Sequence, residues 1–115
     1  MTTHYEDDDI RILKLKCGAY DNNAYLLVSP KTNESIIIDT PADPGELVSA
    51  ARDADVKAIL ITHNHADHIQ GFDEVTSAIA SPVGIGEADA GALSKPPDRF
   101  LKDGDEITAG SVVLR

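Results

Sequence analysis

Apolar and charged positions begin to alternate at Ile10. The run Ile10-Arg11-Ile12-Leu13-Lys14-Leu15-Lys16 has the period of a half-buried strand. Gly18 and Asp21-Asn22-Asn23 mark a turn, and a second strand is predicted over 24–29. Pro30-Lys31-Thr32-Asn33 reads as a hairpin turn. The next run, Ser35-Ile36-Ile37-Ile38-Asp39, is apolar without alternation, as expected of a central strand covered on both faces. Asp43-Pro44-Gly45-Glu46 predicts a helix start, with Asp43 as its cap and Pro44 in the first turn. Leu47, Val48, Ala50 and Ala51 give that helix one apolar face. A strand over 56–61 follows, and strand–helix–strand implies a parallel pair with a right-handed crossover. Residues 69–79 read as a second helix with Phe72, Val75, Ala78 and Ile79 inward. Beyond it come a short strand at 82–85, a short helix at 87–93 and a loop at 94–98. Residues 100–107 lead into a hairpin that turns at Ala109-Gly110 and returns over 112–114. The order is that of an α/β domain, without repeats or low-complexity segments.

The first nine residues carry no such pattern. They are polar, hold the run Glu6-Asp7-Asp8-Asp9, and lack the positive and apolar regions of a signal peptide. We expect a disordered, solvated acidic tail at 1–9 and a folded unit at 10–115. His4 lies in that tail and is expected to be no ligand. No stretch reaches the roughly 18 apolar residues of a membrane helix. A formal charge of −10 over 115 residues offers no basic patch for nucleic acid or for an anionic membrane. Cys17 is the single cysteine, so no internal disulfide forms and a cytoplasmic setting is expected. Cys17 reads as a small residue at a strand end. It becomes a zinc ligand only if the fold brings it to the histidines.

Candidate chemistry concentrates in Thr62-His63-Asn64-His65-Ala66-Asp67-His68-Ile69-Gln70-Gly71, which holds three of the four histidines. The apolar run Ala58-Ile59-Leu60-Ile61 feeds straight into it. A buried strand that ends in imidazoles and a carboxylate is the pattern of a metal site on a loop above a sheet. On an extended backbone His63 and His65 point the same way, their Cα atoms about 6.6 Å apart. Both can then close on one ion, at roughly 2.0–2.1 Å each for zinc. Asp67 and His68 are adjacent, past a bend, and would serve a second ion; paired ions sit about 3.5–4 Å apart. Taken singly, Asp67 would read as the cap of a helix starting at His68.

His63-x-His65-x-Asp67-His68 after an apolar strand resembles the metal-binding signature of the metallo-β-lactamase-fold hydrolases, the superfamily that includes glyoxalase II. Ser35-Ile36-Ile37-Ile38-Asp39-Thr40 resembles that family's first motif, and Asp21-Asn22-Asn23-Ala24-Tyr25-Leu26-Leu27 the strand before it. The resemblance runs from about Ile10 to Arg115. It implies the N-terminal half of an αββα sandwich, with the ligand loop at the carboxyl end of a parallel strand. It also implies zinc as cofactor, two ions in the full enzyme, with iron or manganese as the other metals of this ligand chemistry. His63 and His65 would hold the first ion. Asp67 and His68 would hold the second, with Asp67 the catalytic residue that orients the nucleophile. Asp39 reads either as turn chemistry around Thr40-Pro41 or as support behind the metal loop.

The family's later ligands lie downstream, and no histidine follows His68 here. The chain is therefore expected to be an N-terminal portion that lacks the complete site and is inactive alone. The activity implied for the whole enzyme is hydrolysis of a small-molecule ester or thioester of glyoxalase II type. The same fold also hosts iron redox enzymes, of persulfide dioxygenase or di-iron flavoprotein type, and an inactive metal-binding fragment is the third reading. One half of a sandwich is expected to leave an apolar face open at Leu26, Ile37, Leu60 and Ile61, and to self-associate through it.

Overall fold

The structure is a computed structural model that describes residues 2–17, 22–40, 44–62, 71–86, 90–91, 93, 96–102 and 104–114. Seven strands form one sheet in the order of the sequence. They are β1 (Thr2–Glu6), β2 (Arg11–Cys17), β3 (Asn22–Val28), β4 (Glu34–Ile38), β5 (Asp55–Ile61), β6 (Val83–Gly86) and β7 (Arg99–Leu101). Neighbours from β1 to β4 are antiparallel, and those from β4 to β7 are parallel. Helix α1 (Gly45–Arg52) joins β4 to β5, and α2 (Phe72–Ala78) lies between β5 and β6. Strands β8 (Ile107–Ala109) and β9 (Val112–Leu114) pair as a separate antiparallel hairpin.

The unbroken apolar run of β4 is explained by its place in the middle of the sheet. Ile36 and Ile37 are both 0% exposed although they point to opposite faces. Ile37 joins Leu26, Ile59, Ile61 and Ile85 under Leu47, Val48, Ala51, Phe72 and Val75 of the two helices. Ile36 joins Leu27, Ala58 and Leu60 under Ala109 and Val112 of the hairpin. Each Leu, Ile, Val or Phe among them contributes about 1.5–3 kcal/mol by leaving water. The four side chains expected on an open face are therefore all buried: Leu26, Ile37 and Ile61 lie on the helix side of the sheet, and Leu60, 8% exposed, lies under the hairpin. Ile12, Tyr25, Ile38 and Leu101 around it are partly buried.

The hairpin is latched at its turn, Gly110-Ser111, one residue past the expected position. Ser111 Oγ donates to the Asp9 carbonyl at 2.7 Å, and Ser111 N donates to Ser29 Oγ at 3.2 Å. With the Ser111 proton committed, the fully buried Ser29 hydroxyl donates to Ser111 Oγ at 2.8 Å. Gly110 sits against this node at φ +57°, where a Cβ would lie 2.6 Å from Ser29 Oγ and 2.8 Å from Ser29 Cβ. The turn needs glycine for both reasons.

Other differences from expectation have local causes. Residues 2–6, expected in a solvated tail, form the edge strand β1 on β2; the side chains of residues 3–6 remain exposed. Asp7 closes the following turn, accepting from the backbone N–H groups of Asp9 and Ile10 at 2.8 and 3.0 Å and from the Tyr5 hydroxyl at 2.8 Å. These donors, the Asp9 amide foremost, hold its carboxyl below the usual range, and the same contact raises Tyr5. Helix α1 starts at Gly45 behind Pro44, without a side-chain cap bond; Val48 N donates to the Pro44 carbonyl to close its first turn. Asp43 lies outside the described residues. The N-terminal part of the helix expected over 69–79 also lies outside them, and α2 is described from Gly71 as its cap. Of the expected helix at 87–93, Ala90 and Gly91 form a short 3₁₀ turn. Phe100 and Leu101, expected in the lead-in to the hairpin, instead join Arg99 in β7, which adds to the main sheet beside β6. No helix among the described residues is long and apolar enough to cross a membrane.

Candidate metal-ligating loop

The site is built on the carboxyl ends of two parallel neighbours. In register, Ile38 of β4 faces Leu60 of β5. The next residue, Asp39, donates its N–H to the Leu60 carbonyl at 2.8 Å, which extends the ladder by one bond. Its backbone then turns to φ +66°, a left-handed conformation that Asp tolerates better than most residues. The turn aims its carboxylate back at β5. Oδ1 accepts from Thr62 N at 2.8 Å and from Thr62 Oγ1 at 3.1 Å, and Oδ2 accepts from Thr62 Oγ1 at 2.8 Å. Asp39 is 3% exposed, so these bonds stand in for the water it has lost.

Thr40 makes a second connection. It is fully buried, and its carbonyl accepts from Gly71 N at 2.8 Å. Gly71 is buried in turn and caps α2, its own carbonyl accepting from Val75 N at 3.0 Å. Two consecutive residues after β4 therefore hold the residues at both ends of the segment 63–70.

His63, His65, Asp67 and His68 lie outside the described residues. So does the side chain of Cys17, whose backbone ends β2. His4 is exposed on β1, edge-on to the Tyr25 ring with centroids 6.3 Å apart. Among the described residues no three His, Cys, Asp or Glu gather as a metal site. Thr40 and Thr62 are the site residues to which sequence reasoning gave no role. Their contributions are largely backbone bonds, and only the position of Thr62 at the end of the apolar run hinted at a role.

A mixed sheet with helices on one face and a hairpin on the other is a layered α/β architecture, and in the sequence a histidine-rich segment follows its parallel strand β5. Residues 17–113 match the metallo-beta-lactamase superfamily, and the chain belongs to it. Over 92 residues it is 34% identical to a hydroxyacylglutathione hydrolase of Bdellovibrio bacteriovorus, a match covering 78% of this chain and 36% of that protein. Over 105 residues it is 36% identical to the hydroxyacylglutathione hydrolase of Jannaschia sp., covering 90% of this chain and 40% of that one. Among solved structures, the BLEG-1 B3 metallo-β-lactamase superposes with a TM-score of 0.77 at 24% identity, over 89% of this chain and 58% of the other. A metallo-β-lactamase from Staphylococcus aureus gives 0.74 at 21% identity, over 96% and 34%. The latter two comparisons establish the fold. The chain spans 36–40% of the length of these two curated relatives.

Proposed function

We propose that the chain carries the metal-ligating motif of a hydrolase that cleaves esters or thioesters with an activated water, hydroxyacyl-glutathione thioesters being the substrate class. One observation supports this most: Thr62, the residue that precedes the motif in sequence, is held at the carboxyl end of β5 by a buried carboxylate. The relatives that share the sequence at 33–37% identity are named hydroxyacylglutathione hydrolases.

The donor set fits a divalent metal. Imidazoles with a carboxylate suit zinc, which we assign, and suit iron or manganese as well. His63 and His65 would hold one ion, and Asp67 and His68 a second. When bound, zinc brings the pKa of water to about 7, so that a nucleophile exists at neutral pH. Asp67 would also orient the attacking water toward the carbonyl carbon. Asp39 acts on the loop, through Thr62, and not on the substrate.

A small-molecule substrate in a cytoplasmic setting belongs to the same reading. It is supported by the single cysteine and by a charge of −10, which disfavours nucleic acid and anionic membranes as partners. Residues 10–115 serve as one part of the metallo-β-lactamase-like domain. Self-association is proposed at the partly buried Tyr25, Ile38 and Leu101 beside the hairpin.

Calorimetric titration with zinc tests the proposal. The wild-type chain is expected to bind weakly, and replacing both His63 and His65 by Ala is expected to remove the ion those two residues hold. Nanomolar affinity that survives the double substitution would overturn the ligand assignment.

A further inference from the structure

We infer that strand β1 and the turn after it form a strap on the β8–β9 hairpin, and that peeling β1 frees the hairpin and uncovers the sheet beneath. The strap is fastened at two adjacent residues. The Asp9 carbonyl accepts from Ser111 Oγ at 2.7 Å in the hairpin turn. The Asp9 carboxylate also holds Lys31 Nζ at 2.9 Å, in the turn between β3 and β4. Ile10, the next residue, packs against the apolar cluster to which Ala109 and Val112 of the hairpin belong.

The far end of the strap is held weakly. β1 has five residues, lies at the edge of the sheet and pairs with β2 alone. Its register slips at His4, between the Thr3–Leu13 and Tyr5–Ile12 pairs. The side chains of residues 3–6 are exposed, Tyr5 by 51%, so they add no buried apolar face to oppose peeling. Segments of that kind open locally more readily than core strands. Asp7 joins the two ends. Its Oδ2 accepts from the Tyr5 hydroxyl at 2.8 Å, and its Oδ1 from the amides of Asp9 and Ile10 at 2.8 and 3.0 Å. When β1 lifts, Tyr5 leaves with it and the turn loses one of its ties. The Asp9 carbonyl then moves from Ser111, whose hydroxyl is also the acceptor for Ser29. Under the hairpin lie Leu27, Ile36, Ala58 and Leu60. They continue the patch of Tyr25, Ile38 and Leu101 at which self-association is proposed. The purpose of the strap rests on that reading; its mechanics do not.

Hydrogen exchange on the full chain tests the mechanics. Asp7→Ala cuts the joint without touching the hairpin. It should speed exchange of the Ser111 amide about fivefold, the effect of one lost hydrogen bond, while Ile37 and Ile59 keep their wild-type rates. Asp7→Asn keeps a carbonyl acceptor and should stay within about twofold of wild type. Ser111→Ala already severs the hairpin from Asp9, so adding Asp7→Ala to it should change exchange at position 111 by less than about twofold. An unchanged Ser111 rate in Asp7→Ala would overturn the strap. So would equal acceleration in the two backgrounds, which marks independent sites, or acceleration at Ile37 and Ile59 as large as at Ser111, which marks general loosening. Sedimentation of Asp7→Ala tests the purpose, with self-association expected to tighten about as much as the hairpin loosens. A looser hairpin with unchanged association would overturn the self-association reading and leave the strap standing.

Discussion

Gly110→Ala puts the hairpin latch under direct strain. Two costs are expected. The first is conformational: at φ +57° an alanine sits in the left-handed region, at a cost of about 1–2 kcal/mol. The second is steric. The new methyl would lie 2.6 Å from Ser29 Oγ and 2.8 Å from Ser29 Cβ, closer than real Cβ atoms come. Ser29 is fully buried and cannot swing away, so the turn must lift. Lifting it breaks the Ser29–Ser111 and Ser111–Asp9 hydrogen bonds, roughly 1 kcal/mol each. The sum is about 3–4 kcal/mol, a large share of a small domain's stability. Gly104→Ala isolates the first cost, since Gly104 has φ +87° and, among the described residues, nothing within 4 Å of a Cβ. Urea melts of the two variants and wild type would separate the contributions. We expect Gly110→Ala to lose about 2 kcal/mol more than Gly104→Ala, with increased binding of a hydrophobic dye as Ala109 and Val112 leave Ile36 and Leu60. Equal losses in the two variants would refute the packing argument and leave only backbone strain.

Ser35 is fully buried, and its hydroxyl has no hydrogen-bond partner among the described residues, so Ser35→Ala should be neutral or stabilising by up to about 1 kcal/mol in the same melts. The Tyr5–Asp7 contact should persist over a wide pH window. Asp7, depressed from 3.8, steadies the turn above that value and loses its effect as pH falls through its folded-state value. Tyr5, raised from 10.0, contributes below that value and loses its effect as pH rises through its higher folded-state value. Phenolate absorbance should therefore show one late-ionising tyrosine that shifts earlier in Asp7→Ala; superimposable titrations would dismiss the contact. Thioester turnover by the zinc-loaded chain is expected well below about 10 per second, the median for enzymes. His63 and His65 supply two ligands where catalytic zinc takes three, and turnover near that rate would show that the donors within this sequence suffice.

Strands β2 to β6 and the apolar faces of both helices were legible because burial imposes a period on side chains. β4 shows this most clearly, since only a strand covered on both faces reads Ile36-Ile37-Ile38. β1 was not legible. An edge strand with exposed side chains needs no apolar face, and Thr2–Glu6 is held by backbone bonds to β2. β7 was missed for a related reason: three residues carry no period, and its place beside Gly84 and Ile85 is a tertiary fact. At the candidate site, residue type alone marked His63, His65, Asp67 and His68. Thr40 and Gly71 act through a carbonyl and an amide that every residue possesses, so composition could not reveal them.

The order of the large sheet has a kinetic consequence. Each strand pairs with its neighbours in sequence, so the sheet can grow one strand at a time as the chain is synthesised, with no connection longer than the crossover from β5 to β6 to close. The hairpin breaks that rule, because its latch joins residues 82 and 102 positions apart. Closing so long a loop is slow, and the hairpin should dock last. Until then Ile36 and Leu60 face water, and the nascent sheet is exposed to aggregation. Pulse-labelled hydrogen exchange during refolding would reveal this as late protection at Ser111, and early protection there would reverse the order.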